Sequence, residues 1–325
     1  MNLLTVSIIS LVIFSGISYS QLGGTPGAFT RMGFNARGIS MGGAMVAVIK
    51  GDLNGIYNPA LSSFQDEHLI SAGYTFLSFD RKLNFISYTK NFRIPGQSEG
   101  GAGITFGWLN AGVSNIDGRD MDGFKIGEFS TSENQFLFAP SIKASDKLSL
   151  GAGFKFYYSK LFEEVTSTSF GFDLGVVYRI NKKITAGLTV RDINSRYEWN
   201  TTKLYGPFFG NQTKEKFPLL YIAGLSYLLP EEFGLVSAEF QSSNRKSNII
   251  RLGSEISPVK YFFIRAGIDR FDLAEKDKLG SARASFGAGY QKSFKSYVIG
   301  LDYSFVMEPF SGRPMQTISV LFKIK

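Results

Sequence analysis

Apolar and polar residues alternate along most of the chain from residue 68 onward. In the segment 147–159 every second residue is apolar, while the residues between them are small, polar or charged. Successive side chains of a β-strand point to opposite faces of the sheet, so this pattern predicts a strand with one apolar and one polar face. The segments 168–179, 281–291 and 296–306 repeat it.

About fourteen such segments are predicted, and each has about ten residues, the length that crosses a bilayer at a tilt of ~45°. They start near residues 69, 83, 101, 134, 147, 168, 183, 218, 234, 248, 261, 281, 296 and 315. Tight turns alternate with longer connections, as in outer-membrane barrels with short periplasmic turns and long outer loops. The longer connections are 112–132, 160–167, 194–216 and 272–280.

The first two connections do not follow this alternation. The connection at Asp80-Arg81 is short where a long outer loop is expected, and 94–100 is long where a short turn is expected. A slip of one hairpin therefore remains open at this point of the predicted topology.

The charged residues of the polar faces lie singly among glycines. A soluble sheet would carry more Lys, Glu and Thr on its water-exposed face, whereas the polar face of a membrane barrel lines the lumen. For residues 67–325 we therefore predict an all-β fold, a transmembrane antiparallel β-barrel of about 14 strands, rather than a secreted sandwich. The predicted lumen charges are Lys155, Asp173, Arg179, Arg251, Glu255, Arg265, Asp269, Arg283 and Asp302.

Residues 1–20 have the pattern of a secretory signal peptide. The apolar run from Leu3 to Phe14 is too short to span a bilayer, and small residues precede a predicted cleavage site after Ser20. Because the first residues contain no Lys or Arg, an N-terminal membrane anchor is the alternative.

Residues 21–66 are predicted to form an N-terminal arm and a plug inside the barrel lumen. We expect an irregular arm at 21–35, a short helical turn at 36–43 and a strand-like stretch at 44–49. Glycines allow backbone to pass close to backbone, as a segment threaded through a barrel requires. Ordinary packing of a lid against a wall is one interpretation. The functional hypothesis is that a hydrophobic solute path is bordered by Met41, Met45, Val46 and Tyr57.

Composition argues against several function classes. The net charge is +8, but the basic residues are scattered, so we predict no nucleic-acid partner. The chain has no cysteine and a single histidine, His68, with no recognised serine motif beside it and no metal-ligand spacing. We therefore predict a non-enzymatic protein with no cofactor and no metal, in which the acidic stretch within 112–132 is a mobile loop rather than a calcium site.

The connection 194–216 is unusually aromatic for an outer loop, since it contains Tyr197, Trp199, Tyr205, Phe208 and Phe209. Water-exposed loops seldom concentrate so many aromatic side chains without burying them. These residues are expected either to fold over the barrel mouth as a cap or to form a binding surface for a hydrophobic solute or a protein partner.

The N-terminal motifs resemble the plugs of known outer-membrane barrels. The sequences Arg37-Gly38, Met41-Gly42-Gly43-Ala44, Val46-Ala47-Val48 and Asn58-Pro59-Ala60 are similar to plugs of the PorV/PorQ family, within the FadL-like superfamily. The resemblance implies an integral outer-membrane protein in contact with membrane lipid. The plug residues it implies are Arg37, Gly38, Met41, Gly42, Gly43, Tyr57, Asn58, Pro59 and Ala60.

Two functions follow from the resemblance. The PorV/PorQ type implies a non-enzymatic accessory of type IX protein secretion that docks secretion-complex subunits or the C-terminal domains of cargo. The FadL type implies a channel for passive uptake of hydrophobic small molecules or fatty acids. The plug motifs favour the first. A continuous apolar pocket below 197–209 would favour the channel, whereas a filled, charged lumen with an outer aromatic patch would favour docking.

Overall fold

The structure is a computed structural model, and it describes residues 24–53, 55–93, 101–162, 164–272, 282–308 and 313–325. The predicted signal peptide, the connection 94–100 and all but the first residue of the connection 272–280 lie outside the described residues.

Fourteen antiparallel strands close into a barrel, as predicted. Strands that are consecutive in the wall pair with each other, and the first strand pairs with the last along nine residues to complete the ring. The first hairpin pairs Phe76 with Lys82, so the slip left open by the sequence does not occur. The wall strands are β1 (His68–Phe76), β2 (Arg81–Arg93), β3 (Gly101–Arg119), β4 (Lys125–Lys143), β5 (Leu148–Lys160), β6 (Thr166–Arg179), β7 (Ile184–Ile193), β10 (Leu220–Leu228), β11 (Gly234–Ser243), β12 (Asn248–Val259), β13 (Phe262–Asp272), β14 (Arg283–Ser293), β15 (Tyr297–Val306) and β16 (Met315–Ile324).

The connection between β7 and β10 carries structure of its own. Strands β8 (Arg196–Asn200) and β9 (Gln212–Lys216) form a separate hairpin. Between them lies the helical segment α2 (Thr202–Phe209), which is interrupted at Gly206, where φ is 74°. Among the described residues, no helix is long and apolar enough to cross a membrane.

Side chains alternate between the two faces of the wall as the sequence pattern requires. Phe154, Phe172 and Leu301 point outward and are 39–53% exposed, whereas Arg265 and Asp302 point inward and are 2–3% exposed. A continuous outer band of large apolar side chains is unfavourable in water and is what lipid contact requires. The charges inside are removed from solvent because residues 24–53 and 55–66 fill the lumen.

The strands β3 and β4 correct one prediction. The stretch 112–132 is not a mobile loop, because both strands continue for nineteen residues and form a tall hairpin beyond the rest of the barrel. A bulge near Asn115, where φ is 55°, shifts the register and thereby hides the alternation in the sequence. The tip is a turn in which the carboxylate of Asp120 accepts hydrogen bonds from the backbone of Asp122 and Phe124.

The N-terminal segment is mostly irregular. Helix α1 (Ala36–Ser40) agrees with the predicted turn, and Asn35 caps its N-terminus by accepting a hydrogen bond from the Gly38 amide. A 3₁₀ helix covers Pro59–Phe64. The expected strand at 44–49 is wrong, since this stretch forms turns within the lumen. A short apolar run in a fully enclosed coil has the same pattern as a buried strand.

Candidate functional site: the filled lumen

The seat of the plug is a set of wall glycines that we call the glycine belt. A Cβ atom on Gly151 would lie 2.4 Å from the Ala60 nitrogen, and one on Gly267 would lie 2.2 Å from the Gly42 nitrogen. Any side chain at these positions would displace plug backbone, so the plug sits directly on the wall backbone. The belt, one glycine from each of eight strands, consists of Gly103, Gly151, Gly175, Gly187, Gly224, Gly253, Gly267 and Gly287.

Arg37 of the plug is held by ion pairs with the wall. Its guanidinium donates to both carboxylate oxygens of Glu255 on β12, each at 2.8 Å. Glu255 also accepts from Arg265 at 2.6 Å, and Arg265 in turn reaches Asp302 at 2.5 Å. That last pair joins β13 to β15 above Gly289 of β14, where a Cβ would lie 2.0 Å from an Asp302 oxygen. The result is a buried chain of alternating charges, in which each charge is compensated.

Asp52 provides a second charged attachment of the plug. Its carboxylate lies 2.8 Å from the ammonium group of Lys323 on β16 and accepts a hydrogen bond from Gln291 at 3.0 Å. Burial alone would raise the pKa of Asp52, but the positive charges of Lys323, Arg37 and Arg265 outweigh it and hold the pKa at about 2. Asp52 is therefore ionised at neutral pH.

On the opposite side of the barrel, Asn58 attaches the plug without charge. Its amide nitrogen lies 3.2 Å from the Val176 carbonyl of β6 and 3.3 Å from the Leu188 carbonyl of β7, and 3.0 Å from the plug carbonyl of Val46. Its oxygen accepts from the Ala60 amide at 3.1 Å. Asn58 thus fixes the fold of the plug and its position on two strands at once.

Above the plug, toward the long-loop end of the barrel, lies a buried network around Lys155. The Lys155 ammonium is 2.8 Å from both Asp173 and Asp192. The Tyr157 hydroxyl donates to Asp192 at 2.9 Å, and the Asp192 amide donates to Asp173 at 2.8 Å. The sequence analysis identified Lys155 and Asp173 but not Asp192. The backbone of Asp192 has a left-handed conformation, with φ at 63°.

A further network joins β11, β12, β13 and β14. Arg251 donates to Asp269 at 2.7 Å and to Glu239 at 2.9 Å, and Asp269 also binds Arg283. Glu239 accepts from the plug amide of Val46 at 3.2 Å. Sequence reasoning missed Glu239, although it lies on the same strand face as Ser237 and Gln241.

Arg179 differs from the other predicted lumen charges. It is half-buried near the short-turn end of the barrel, and its guanidinium lies 5.3 Å from the ring centre of Phe64. The remaining eight predicted lumen charges are buried and ion-paired, and all eight face inward.

A cavity of about 50 Å³ lies between the plug and the wall. Apolar side chains line it together with six charged residues, Arg31, Arg191, Glu239, Arg251, Asp269 and Arg283. Of the four residues expected to border a solute path, Tyr57 alone lines this cavity. Met41 and Val46 are buried against wall glycines, and Met45 is buried in the apolar core. Apolar cavities that hold benzene are about 150 Å³, so this one is too small for a solute of that size.

The aromatic residues of the outer connection fall into two groups. Tyr197 and Trp199 on β8 cap the mouth, with ring centres 5.0 Å apart, and Tyr197 packs against Phe217 at 4.8 Å. In contrast, Phe208 and Phe209 of α2 are 92% and 85% exposed. Tyr205 is also exposed. The cap and the exposed surface, which were alternatives in the sequence analysis, are therefore formed by different residues.

The fold is similar to that of solved hydrocarbon channels. A structure titled "CymD monoaromatic hydrocarbon channel" aligns with a TM-score of 0.61 at 13% identity, covering 90% of this chain and 98% of that one. The Pseudomonas putida toluene transporter TodX gives 0.58 at 13% identity, covering 90% and 97%. A Pseudomonas aeruginosa FadL homologue gives 0.57 at 12%, covering 90% and 98%. No family model and no curated protein matches the sequence. The chain therefore shares the FadL-like fold, while a PorV/PorQ assignment has no support beyond the motifs.

Proposed function

We propose that this protein is a non-enzymatic, FadL-like channel of the outer membrane that admits small hydrophobic compounds. The observation that carries the proposal is the likeness in fold, over 90% of the chain, to proteins described as hydrocarbon channels and transporters. The apolar outer face of the barrel and the predicted signal peptide, cleaved near Ser20, support the location. This function reverses the preference for type IX secretion drawn from the plug motifs.

The lumen is closed in this structure, so transport requires the plug to move. The plug rests on wall glycines, and specific polar attachments at Arg37, Asp52 and Asn58 hold it there. Weakening one attachment should therefore raise the rate of passage. Weakening a contact of the plug that lies outside the lumen wall should leave the rate unchanged.

Uptake of radiolabelled toluene by cells that express the full chain tests this proposal. Expression should raise the initial uptake rate, and the variants Asn58→Ala and Glu255→Gln should raise it further at equal amounts of folded barrel. Glu232→Gln is the matched control, because Glu232 meets the plug only through an exposed ion pair with Lys50 at 3.1 Å. Equal uptake with and without the protein, in all variants, would contradict a channel for such compounds.

A second candidate is docking of a secretion partner, as the PorV/PorQ resemblance implies. The filled, charged lumen and the exposed pair Phe208 and Phe209 favour it. The test is affinity pull-down from detergent-solubilised native membranes with the wild type and with a Phe208→Ser, Phe209→Ser variant. Recovery of type IX subunits or cargo by the wild type alone supports docking, and recovery of none by either chain excludes it.

A further inference from the structure

Exposed lysines are concentrated at the short turns on one side of the barrel. Lys260 lies between β12 and β13, Lys292 lies at the end of β14, and Lys295 lies between β14 and β15. Because β13 pairs with β14, the two turns are neighbours. The segments 257–262 and 292–297 contain no Asp or Glu. We call these three lysines the basic rim.

The lysines of the basic rim pair with no carboxylate among the described residues. The ion pairs at this end of the barrel join other residues, Lys50 with Glu232, Lys143 with Asp146, and Lys323 with Asp52 and Glu67. Positive charges that lie close together repel each other, and an anion placed between them removes that repulsion. The basic rim therefore favours a negatively charged partner.

Lys325 fixes the turn that carries two of these lysines. Its ammonium group lies 2.7 Å from the Ser293 hydroxyl and donates to the Phe294 carbonyl at 3.0 Å. The Phe294 amide in turn donates to the Tyr297 carbonyl at 2.8 Å and closes the turn. Lys325 is thus engaged within the protein, so we do not include it in the basic rim.

Stacked aromatic rings lie beside the basic rim. Phe294, Tyr297 and Phe322 form a row, with ring centres 4.8 and 5.7 Å apart and ring planes at 27° and 29°. On the adjacent strands, Tyr290 packs against Phe262 with ring centres 4.9 Å apart. Aromatic girdles of this kind mark the level of the lipid headgroups on membrane barrels.

Two lysines of the basic rim contact this aromatic girdle directly. The Lys292 ammonium lies 5.4 Å from the ring centre of Phe294, and the Lys260 ammonium lies 4.9 Å from that of Tyr261. The Tyr261 ring is 6.4 Å from the Tyr290 ring, which joins the two groups of aromatic residues. The positive charges are therefore placed at the headgroup level, next to the apolar band of the wall.

We propose that the basic rim binds an anionic phospholipid of the leaflet at the short-turn end. The lysines would hold the phosphodiester, and the acyl chains would lie along the rings of Tyr290, Tyr297 and Phe322. A zwitterionic lipid fits less well, because its own ammonium group would meet the lysines. The position beside the lipid-facing band favours a lipid over a soluble acidic protein. The site requires a barrel in a membrane but no transport, so it is tested without a solute.

Native mass spectrometry of the full chain from mixed micelles tests the site. The micelles contain equal amounts of phosphatidylglycerol and phosphatidylcholine with the same acyl chains. Wild type should retain one phosphatidylglycerol in preference to phosphatidylcholine. Lys260→Gln and Lys292→Gln should each lower the affinity for phosphatidylglycerol about fivefold, the effect of one lysine near an anionic membrane surface. Lys292→Arg, which keeps the charge, should retain it.

The matched control is Lys182→Gln, in the short turn between β6 and β7 on the other side of the barrel. Lys182 is exposed, as are the lysines of the basic rim, so none of these variants disturbs the core. Its affinity for phosphatidylglycerol should equal that of wild type. Unheated electrophoretic mobility verifies that each variant barrel is folded.

Three results would overturn the proposal. The first is equal retention of the two lipids by wild type. The second is an equal loss in Lys182→Gln and in the variants of the basic rim, which would mean that the whole end attracts anions without a site. The third is binding of soluble polyglutamate at the basic rim with no preference between the lipids, which would indicate an acidic protein partner.

Discussion

The plug is attached to the two sides of the barrel by different chemistry. Toward β12 and β16 it is held by charge, through Arg37 with Glu255 and Asp52 with Lys323. Toward β6 and β7 it is held by the neutral amide of Asn58. A buried ion pair is strong only while both partners remain, since removing one leaves an uncompensated charge. The neutral side loses less when the Asn58 amide is removed, and the Asn58 amide does not respond to pH.

The largest expected effect is steric and should be the same on both sides. Gly151→Val on the neutral side and Gly267→Val on the charged side would each place a side chain into plug backbone. We expect the plug to leave its seat in both variants, with loss of protection across residues 24–66 in hydrogen–deuterium exchange. Gly127→Val is the control, because a Cβ atom at this position would lie 3.7 Å from the Phe129 ring and would meet no plug residue. Full protection in either variant would mean that the plug backbone can shift enough to accommodate a valine side chain on the wall.

Removing a carboxylate from the charged side should have the next largest effect. Glu255→Gln leaves Arg37 and Arg265 without their shared anion, and the loss of one partner of a buried pair costs about 3–5 kcal/mol. Exchange of the amides around Arg37 should accelerate accordingly. Glu232→Gln, which breaks only the exposed pair with Lys50, should change local stability by less than about 1 kcal/mol. Equal effects of the two variants would show that burial does not strengthen the attachment.

Acid should loosen the charged side first. The pKa of Asp52 is about 2 in the folded chain, below its ordinary value near 4, so its stabilising effect is complete at neutral pH and is lost as pH falls from about 5 toward 2. The loss amounts to about 2 kcal/mol. The protection factor at residues 50–53, which is the intrinsic exchange rate at each pH divided by the measured rate, should fall over this range, and Asp52→Asn should remove that fall. A pH-independent protection factor in wild type would contradict the assignment.

The smallest of the four effects is expected on the neutral side. Asn58→Ala removes the hydrogen bonds to Val176 and Leu188 and leaves the Ala60 amide without its acceptor, at a cost of about 1–2 kcal/mol. Exchange near residue 58 should be faster in the variant than in wild type, and the ratio of the two rates should remain unchanged between pH 4 and 7. Should its effect exceed that of Glu255→Gln, the neutral side would be the stronger attachment.

Most of the wall could be predicted from the sequence, because the two-residue alternation within a strand indicates which of its side chains face the lumen. Lys155 and Asp173 were identified as lumen residues from alternation alone, without knowledge of their shared partner. Asp192 was missed because the backbone turns left-handed there and the register of β6 and β7 shifts, so the two-residue period no longer indicates the face. Glu239 was within reach, since β11 alternates without interruption.

The plug and the outer connection could be predicted less completely because their structure depends on distant contacts. Val46 packs against the wall glycines Gly187 and Gly224, and no local pattern of residues 44–49 encodes this contact. Likewise, Tyr197 and Phe208 are both aromatic residues of one loop, but Tyr197 packs against Phe217 and Phe208 faces solvent. Periodicity identifies the face of a strand, while the position of a coil is set by the residues around it.

The pair formed by Arg265 and Asp302 spans the strand between them, and Gly289 leaves the space through which it passes. An alanine there would introduce no charge and no polar group, yet it would push two ionised side chains apart inside the barrel. A survey of electrostatic substitutions that sorted positions by residue type would overlook Gly289, although the bracing of three strands depends on its having no side chain.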